Sequence, residues 1–445
     1  MALGSVILAF ITVAIDRSLG PDAFKMSGVL APNSVEGTRT ILSIVTGSMI
    51  SIAGVTFSLT MVAVTNAAAQ YGPRLIGNFM RDKANQFTLG VFTSTFIYGL
   101  LILRVAHAGD STSSGENAAE FIPNVSVFVA MMMTLLSVGV LIYFVHHIPE
   151  TLNVGNITAR IGRDLRDRLR QLIARDPDQP LRPNLADPYY DVDLALRIAA
   201  KDEGYVQTLN FSHLVKLAKE HDLIIDLQFQ PGDFVVCGDV LLDAWTVDGL
   251  QIDVEDEEAL IRNILSAYAM GQSRTVHQNL LYLADELVEV LARALSPGVN
   301  DPYTATNCIH WYQSALNVMV AEPDSIADRF DEDNTRRIMT KPLTFETLLD
   351  VFAGKSRPYV ASDKIAAAQM LSMLGKLRAK ATLESRKTAL NTEMSALVRA
   401  AYDALPNEVD REFIAELANR ITAGLKDEAS LEKSRREEGW LGGTA

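Results

Sequence analysis

From Thr40 to Pro73 the chain carries no charged side chain, and within that stretch Ile41 to Val64 is almost wholly apolar or small. As a helix this run exceeds the roughly 20 residues that cross a hydrocarbon core of about 30 Å. It is read as a transmembrane helix, and everything else about the chain has to accommodate it. Two further runs repeat the pattern, Ala84 to Leu103 and about Val125 to Val145. The opening run Ala2 to Ile15 is shorter, about 21 Å at roughly 1.5 Å per residue. It lacks the basic start of a secretory signal, and Asp16-Arg17 follow without a small-residue cleavage site, so it reads as a short or truncated first span. The expectation is a membrane α-helical region of four transmembrane helices within residues 1–150, with spans at about 2–15, 41–64, 84–103 and 125–145.

Lys and Arg beside the spans set the orientation. Arg74, Arg81 and Lys83 follow span two, and Arg160, Arg163, Arg166, Arg168 and Arg170 follow span four. The stretch from Val105 to Ile122 has neither. Both basic segments are therefore expected in the cytoplasm, with the large C-terminal part; Arg17, Lys25 and Arg39 in the first outer loop run against this rule. No Asp, Glu or Lys lies inside a long span and Arg104 closes span three, which argues against a proton relay or an ion-pair-driven pump.

Span two has a second pattern. Gly47, Ser51, Gly54 and Ser58 fall on one narrow helical face, smooth and slightly polar. Small residues let membrane helices approach closely, and the same face with its hydroxyls suits the wall of a water-filled path, so it is a candidate pore or helix-packing face. At the inner end of span four, His146, His147 and Glu150 lie near one another, an arrangement for a metal or a pH response; Pro149 there equally marks a plain helix end.

The stretch leaving span two runs from Phe57-Ser58-Leu59-Thr60 through Gln70-Tyr71-Gly72-Pro73-Arg74-Leu75 to Asn78-Phe79-Met80-Arg81-Asp82. A second block reads Arg293-Ala294-Leu295-Ser296-Pro297-Gly298-Val299-Asn300-Asp301-Pro302-Tyr303-Thr304-Ala305. Together they resemble the domain of unknown function 2254 family, bacterial predicted integral membrane proteins, over most of the chain. In the first block Pro73, Arg74, Phe79 and Asp82 carry the likeness; the Ser-Pro-x-x-Asn-Asp-Pro run is the more distinctive. The resemblance implies a multi-pass protein of the bacterial cytoplasmic (inner) membrane, and it implies no activity.

Of the formal charge of −14, all but one unit lies after residue 150. Such a surplus of carboxylates argues against nucleic-acid binding. Residues 151–190 read as an amphipathic juxtamembrane helix, with Ile157, Ile161, Leu165, Leu169 and Leu172 between arginines suited to anionic headgroups, and then a linker with four prolines between Asp176 and Tyr190. From 191 to 252 a small β-rich module is expected: strand Tyr205–Leu209, helix Phe211–His221, alternation from Leu223 to Phe229, a Pro231-Gly232-Asp233 turn, then Phe234–Cys237 and Val240–Ala244. This order resembles barrel-sandwich folds of biotinyl and lipoyl domains, but no lysine follows Leu242, which argues against a carrier. Residues 253–445 read as a mostly helical cytoplasmic domain, so the whole chain combines a helical membrane part with an α+β part. An acidic run, Asp253 to Glu258, suits the start of a helix. Leu280, Leu283, Leu287, Leu291 and Ala294 form a packing stripe. Ser296-Pro297-Gly298 should end that helix, and Asp301-Pro302 should cap the next, running from Tyr303 to about Val320. Ser296, Pro297, Asn300, Asp301, Tyr303 and Thr304 then form a corner that is a candidate ligand or subunit contact.

Catalytic spacings are missing. Gly354-Lys355-Ser356 ends like a phosphate loop, but Leu349 stands where the earlier glycine belongs, and Cys308 and His310 fall on different helical faces. Neither an enzyme nor a cofactor or metal is expected. The favoured reading is a homo-oligomeric channel or passive transport protein in the lipid bilayer, gated by its cytoplasmic domain, with an unknown small ligand or ion as a candidate partner. The alternative is a membrane-anchored sensor or scaffold.

Overall fold

The computed structural model describes residues 1–19, 35–72, 83–108, 123–173, 194–249, 252, 257–322, 324 and 327–437. They divide into two compact units, Met1–Asn156 and Ile157–Ala445.

The first unit consists of α1 (Ala2–Leu19), α2 (Val35–Tyr71), α3 (Lys83–Ala108) and α4 (Asn124–Leu152). Three stretches among the described residues, Glu36–Ala69, Lys83–Ala106 and Asn124–Ile148, are long and apolar enough to cross a membrane. The sequence led us to expect four. The difference is α1: its apolar run ends at Asp16 and Arg17, within the last turn, which leaves it short of the hydrocarbon thickness. It packs within the same bundle all the same, sharing a core in which Ala9, Val13, Leu42, Tyr98, Ile102, Val127 and Ala130 are buried. A second cluster joins Met49, Ala53, Val91, Phe92 and Val140. Helices α2 and α3 approach closely at Gly99, where a Cβ would lie 2.6 Å from Thr46 Oγ1.

Several buried hydroxyls inside this bundle find partners across helices, as a low-dielectric interior favours, while those of Thr46, Thr88 and Ser94 have none among the described residues. Thr12 and Tyr98 share a hydrogen bond of 2.9 Å, Tyr98 donates to the Ser126 carbonyl at 3.1 Å, and Thr95 and Ser137 pair at 3.0 Å. Asp16 has a more specific task. Its carboxyl oxygens accept from Val125 N (2.8 Å), Ser126 N (3.0 Å) and Ser126 Oγ (2.5 Å). The end of α1 thereby satisfies the otherwise orphaned first amides of α4.

After α4 the helix does not continue. Asn153 is extended (φ −64°, ψ 120°), and a new helix, α5 (Val154–Ile173), begins. In the second unit the buried face of α5 is Thr158, Ile161, Gly162, Leu165 and Leu169, the last two fully buried. Its apolar stripe is thus used for packing within the protein, and its arginines flank that seam.

The β-rich part differs from the expected barrel-sandwich. Strand β1 (Leu196–Ala199), β3 (Leu223–Leu227) and β5 (Val240–Thr246) form a sheet in the order β1-β5-β3-β8-β7, completed by β7 (Arg329–Phe330) and β8 (Arg336–Met339). A second sheet has the order β4-β2-β6, from β2 (Gly204–Leu209), β4 (Phe234–Val235) and β6 (Tyr268–Gly271). Both sheets are open. Helices α6 (Phe211–Glu220) and α7 (Glu257–Leu265) complete the layer, and Val206, Leu214, Leu217, Leu223, Ile225, Leu242, Ile264 and Ile338 share one core.

The sheet fails to close because β8 arrives from far along the chain and pairs in parallel with β3, Ile225 opposite Ile338. Sequence reading saw only helix there. Strand β8 reads Arg-Arg-Ile-Met, and its buried Arg336 and Arg337 are tolerated because Asp328 and Asp331 meet them at 3.1 and 2.7 Å.

The rest is helical: α8 (Leu280–Ala294), α9 (Pro302–Met319), α10 (Phe345–Leu349), a π-helical turn at Asp350–Gly354, α11 (Lys355–Val360), α12 (Lys364–Lys380), α13 (Glu384–Ala404), α14 (Glu408–Gly424) and α15 (Glu428–Glu437). Its core is built on Leu287, Leu291, Ile309, Tyr312, Phe352, Met370, Leu374 and Leu390.

Candidate functional site

The small-residue face of α2 is exposed throughout. Gly47, Ser51, Gly54 and Ser58 all lie on the outer side of the helix, and a Cβ at either glycine would meet nothing within 4 Å. The side that packs inside the subunit carries Leu42, Thr46, Met49, Ala53 and Thr56. Ser51 Oγ returns to the Gly47 carbonyl at 3.0 Å, so the serine hydroxyl is held along the helix. Among the described residues nothing packs closely on this face.

The corner between α8 and α9 is accounted for largely by its own backbone. Asp301 is the N-cap of α9: Oδ1 accepts from Tyr303 N and Thr304 N, each at 3.1 Å, and Oδ2 from Thr304 Oγ1 at 2.6 Å. Pro302 occupies the first helical turn, where its missing amide costs nothing. Ser296 Oγ donates to the Arg293 carbonyl at 2.6 Å, and the Ser296 carbonyl accepts from Val299 N and Asn300 N. Asn300 takes a left-handed conformation (φ 49°), which asparagine tolerates better than most residues. What the turn does not use is an exposed tip of Pro297, Val299 and Tyr303, the tyrosine 74% exposed. Asp301→Ala is expected to lower stability by about 0.5–2 kcal/mol, as loss of a helix cap does. Thermal melting of the full-length protein measures this, and an unchanged midpoint would contradict the assignment of Asp301 as a cap.

Other sequence candidates resolve individually. Pro73, Arg74, Phe79 and Asp82 lie outside the described residues. His146 Nδ1 is 2.9 Å from the Ile142 carbonyl and His147 stacks on Tyr143, each within its own helix. Cys308 is fully buried and burial pushes its thiol up, the opposite of an activated nucleophile, while His310 on the next face is exposed. Gly354-Lys355-Ser356 is part of the α10–α11 helical run: Lys355 donates to Asp285 Oδ1 at 2.7 Å and Ser356 is buried against Tyr312. Asp285 is also held by Arg274 at 2.6 Å. Burial alone would raise its carboxyl, but these two cations hold it below the usual carboxylate range. Among the described residues no group of three His, Cys, Asp or Glu side chains could hold a metal ion.

Sequence reasoning missed a basic cleft in the second unit. Its volume is about 370 Å³, and it is lined by Arg166 and Arg170 of α5, His310, Gln313, Ser314, Asn317 and Val318 of α9, and Lys380 of α12. The arginines were visible as the polar side of an amphipathic helix. Their neighbours on α9 and α12 follow more than 130 positions later, with no periodic signal linking them.

The model of a family described as "Predicted membrane protein (DUF2254)" matches residues 1–376. The chain belongs to this family. Among curated proteins it is similar to the uncharacterised protein Rv1290c of Mycobacterium tuberculosis and to the uncharacterised protein Mb1321c of Mycobacterium bovis. Each is 28% identical over 391 residues, covering 86% of this chain and 72% of the relative. No solved structure matches. The DUF2254 match takes in the small face of α2, the α8–α9 corner and α5, and it stops inside α12, so α13 to α15 lie beyond it.

Proposed function

We propose that this DUF2254 protein is the subunit of an oligomeric, non-enzymatic channel or passive transport protein, gated by its soluble unit. The observation that carries this reading is the outward Gly47–Ser51–Gly54–Ser58 face. It is slightly polar and left uncovered by the described helices of the subunit, although polar helix faces in membranes are normally turned toward protein or water. The uncharged spans fit a path that does not rely on ion-pair chemistry. In this reading α1 serves as a fourth, short span, the membrane is the bacterial cytoplasmic one, and the arginines after α4 keep the second unit in the cytoplasm.

The test is cysteine scanning in a background with Cys237 and Cys308 replaced by serine. Ser51→Cys and Ser58→Cys are expected to crosslink between copies, or to make liposome flux sensitive to thiol reagents. Leu59→Cys, at the edge of the exposed side, should do neither. Absence of both effects, together with no flux across pH, voltage and tension in protein shown to be inserted, would overturn the reading.

A second reading, a membrane-anchored sensor or scaffold, is supported by the basic cleft of α5, α9 and α12. It expects no flux and a ligand- or partner-dependent change in the second unit.

A further inference from the structure

The cleft exists because of how α5 docks. Gly162 lets the helix lie directly against the Trp311 ring, and Arg163 sits over that ring at 5.9 Å. One and two turns further on, Arg166 and Arg170 therefore run beside His310 and Asn317 of α9, while α12 brings Lys380 to the other side. Among the described residues no carboxylate lines this space. Asp167 bonds Arg166 at 2.9 Å and lies 3.9 Å from Arg170, but it faces a different hollow, shared with Asp164 and His277. Among the described residues the partner of Lys380 there is neutral, Asn317 Oδ1 at 2.7 Å.

Asp167 offsets part of the arginine charge, yet the described lining itself stays basic in a chain whose net charge is −14. Burial and then the charge of Lys376 beside the cleft lower His310, and burial and then Lys380 lower Lys376. An arrangement of like charges costs stability unless something neutralises it. A single carboxylate would meet one of these groups. Guanidinium forks from two turns of a helix, an ammonium opposite and the neutral hydroxyl and amide of Ser314 and Gln313 suit a tetrahedral anion with several oxygens and more than one charge. A volume of about 370 Å³ is at the lower end for small-molecule sites, about 300–1,000 Å³.

We infer that the cleft between α5, α9 and α12 binds a phosphate-bearing anion through Arg166, Arg170 and Lys380. The assignment deepens the sensor reading and rests on it for its consequence, but binding is measured on the purified chain and is independent of any signal or flux. The phosphate belongs either to a soluble phosphorylated molecule or to an anionic phospholipid headgroup, and one experiment separates them.

Full-length protein is titrated with inorganic pyrophosphate in phospholipid-free detergent, following Trp311 emission and the melting midpoint. It is also reconstituted in nanodiscs of phosphatidylcholine with or without phosphatidylglycerol. Saturable pyrophosphate binding identifies the soluble source. A stabilisation by phosphatidylglycerol with no response to pyrophosphate identifies the headgroup. In either case Arg170→Gln together with Lys380→Gln should weaken the response at least about tenfold, because two charge-assisted hydrogen bonds are removed. Arg399→Gln, an exposed site on α13, should leave it unchanged. Ser314→Phe fills the cleft without altering charge and should abolish the response while leaving the ligand-free melting midpoint within a few degrees. No response to either probe would overturn the inference, as would equal weakening by Arg399→Gln. If binding is absent but a protein partner crosslinks to the second unit, the inference fails while the scaffold reading survives.

Discussion

Gly162→Val is expected to undock α5 from α9 and to be among the most damaging single substitutions in the second unit. A Cβ at this position would lie 2.4–2.6 Å from three carbons of the Trp311 ring, closer than any real contact allows. Overpacking of this kind costs about 1–3 kcal/mol, and here the whole buried stripe of Ile161, Leu165 and Leu169 shifts with it. Gly162→Ala is the sharper comparison. In an open helix it would stabilise by up to about 1 kcal/mol, and against Trp311 the sign should reverse. A lower melting midpoint and a red-shifted tryptophan emission are the expected results, with partial recovery when Trp311→Ala is added. Unchanged melting and emission in both glycine variants would refute the seam. The substitution should also weaken any ligand of the basic cleft, since Arg166 and Arg170 are positioned through this contact.

Asp16→Ala should be comparably severe in the first unit. Three donors at the start of α4, Val125 N, Ser126 N and Ser126 Oγ, converge on this one carboxyl group. Leaving buried donors unmet costs about 1–3 kcal/mol each, so a loss of about 3 kcal/mol is expected even if one of them finds water. Resistance of the detergent-solubilised protein to sodium dodecyl sulfate provides the measurement. Asp16→Asn, which keeps one acceptor oxygen, should fall between wild type and alanine. If alanine behaves as wild type, α1 is not tied to α4 and its place in the bundle rests on apolar contacts alone.

The parts of the fold read correctly from sequence share a physical origin. The long apolar helices are legible because a bilayer demands length and lack of charge, and both are properties of a contiguous segment. The α8–α9 corner was legible for the same reason: a helix stop, a left-handed residue, a cap and a proline act within about eight positions. Asp301 does cap α9, as its place before Pro302 implied. Helix α6 and strands β2, β3 and β5 likewise follow from local periodicity and turn residues.

Other features depended on residues far apart in the chain. Whether an amphipathic helix turns its stripe to a membrane or to protein depends on a matching surface, and Trp311 opposite Gly162 supplies one. Two arginines in succession, Arg336 and Arg337, read as solvent-exposed until Asp328, Asp331 and Asp222 arrive to pair with them; only then does β8 become an inner strand and the sheet remain open. The sequence by itself determined membrane insertion, the order of the elements and the corner, because bilayer partitioning and capping act over one segment. The tertiary structure alone decided which way α2 turns its small face, how Asp16 joins two helices, and that cations from two helices meet in one cleft against a third, because side-chain contact and charge summation act through space.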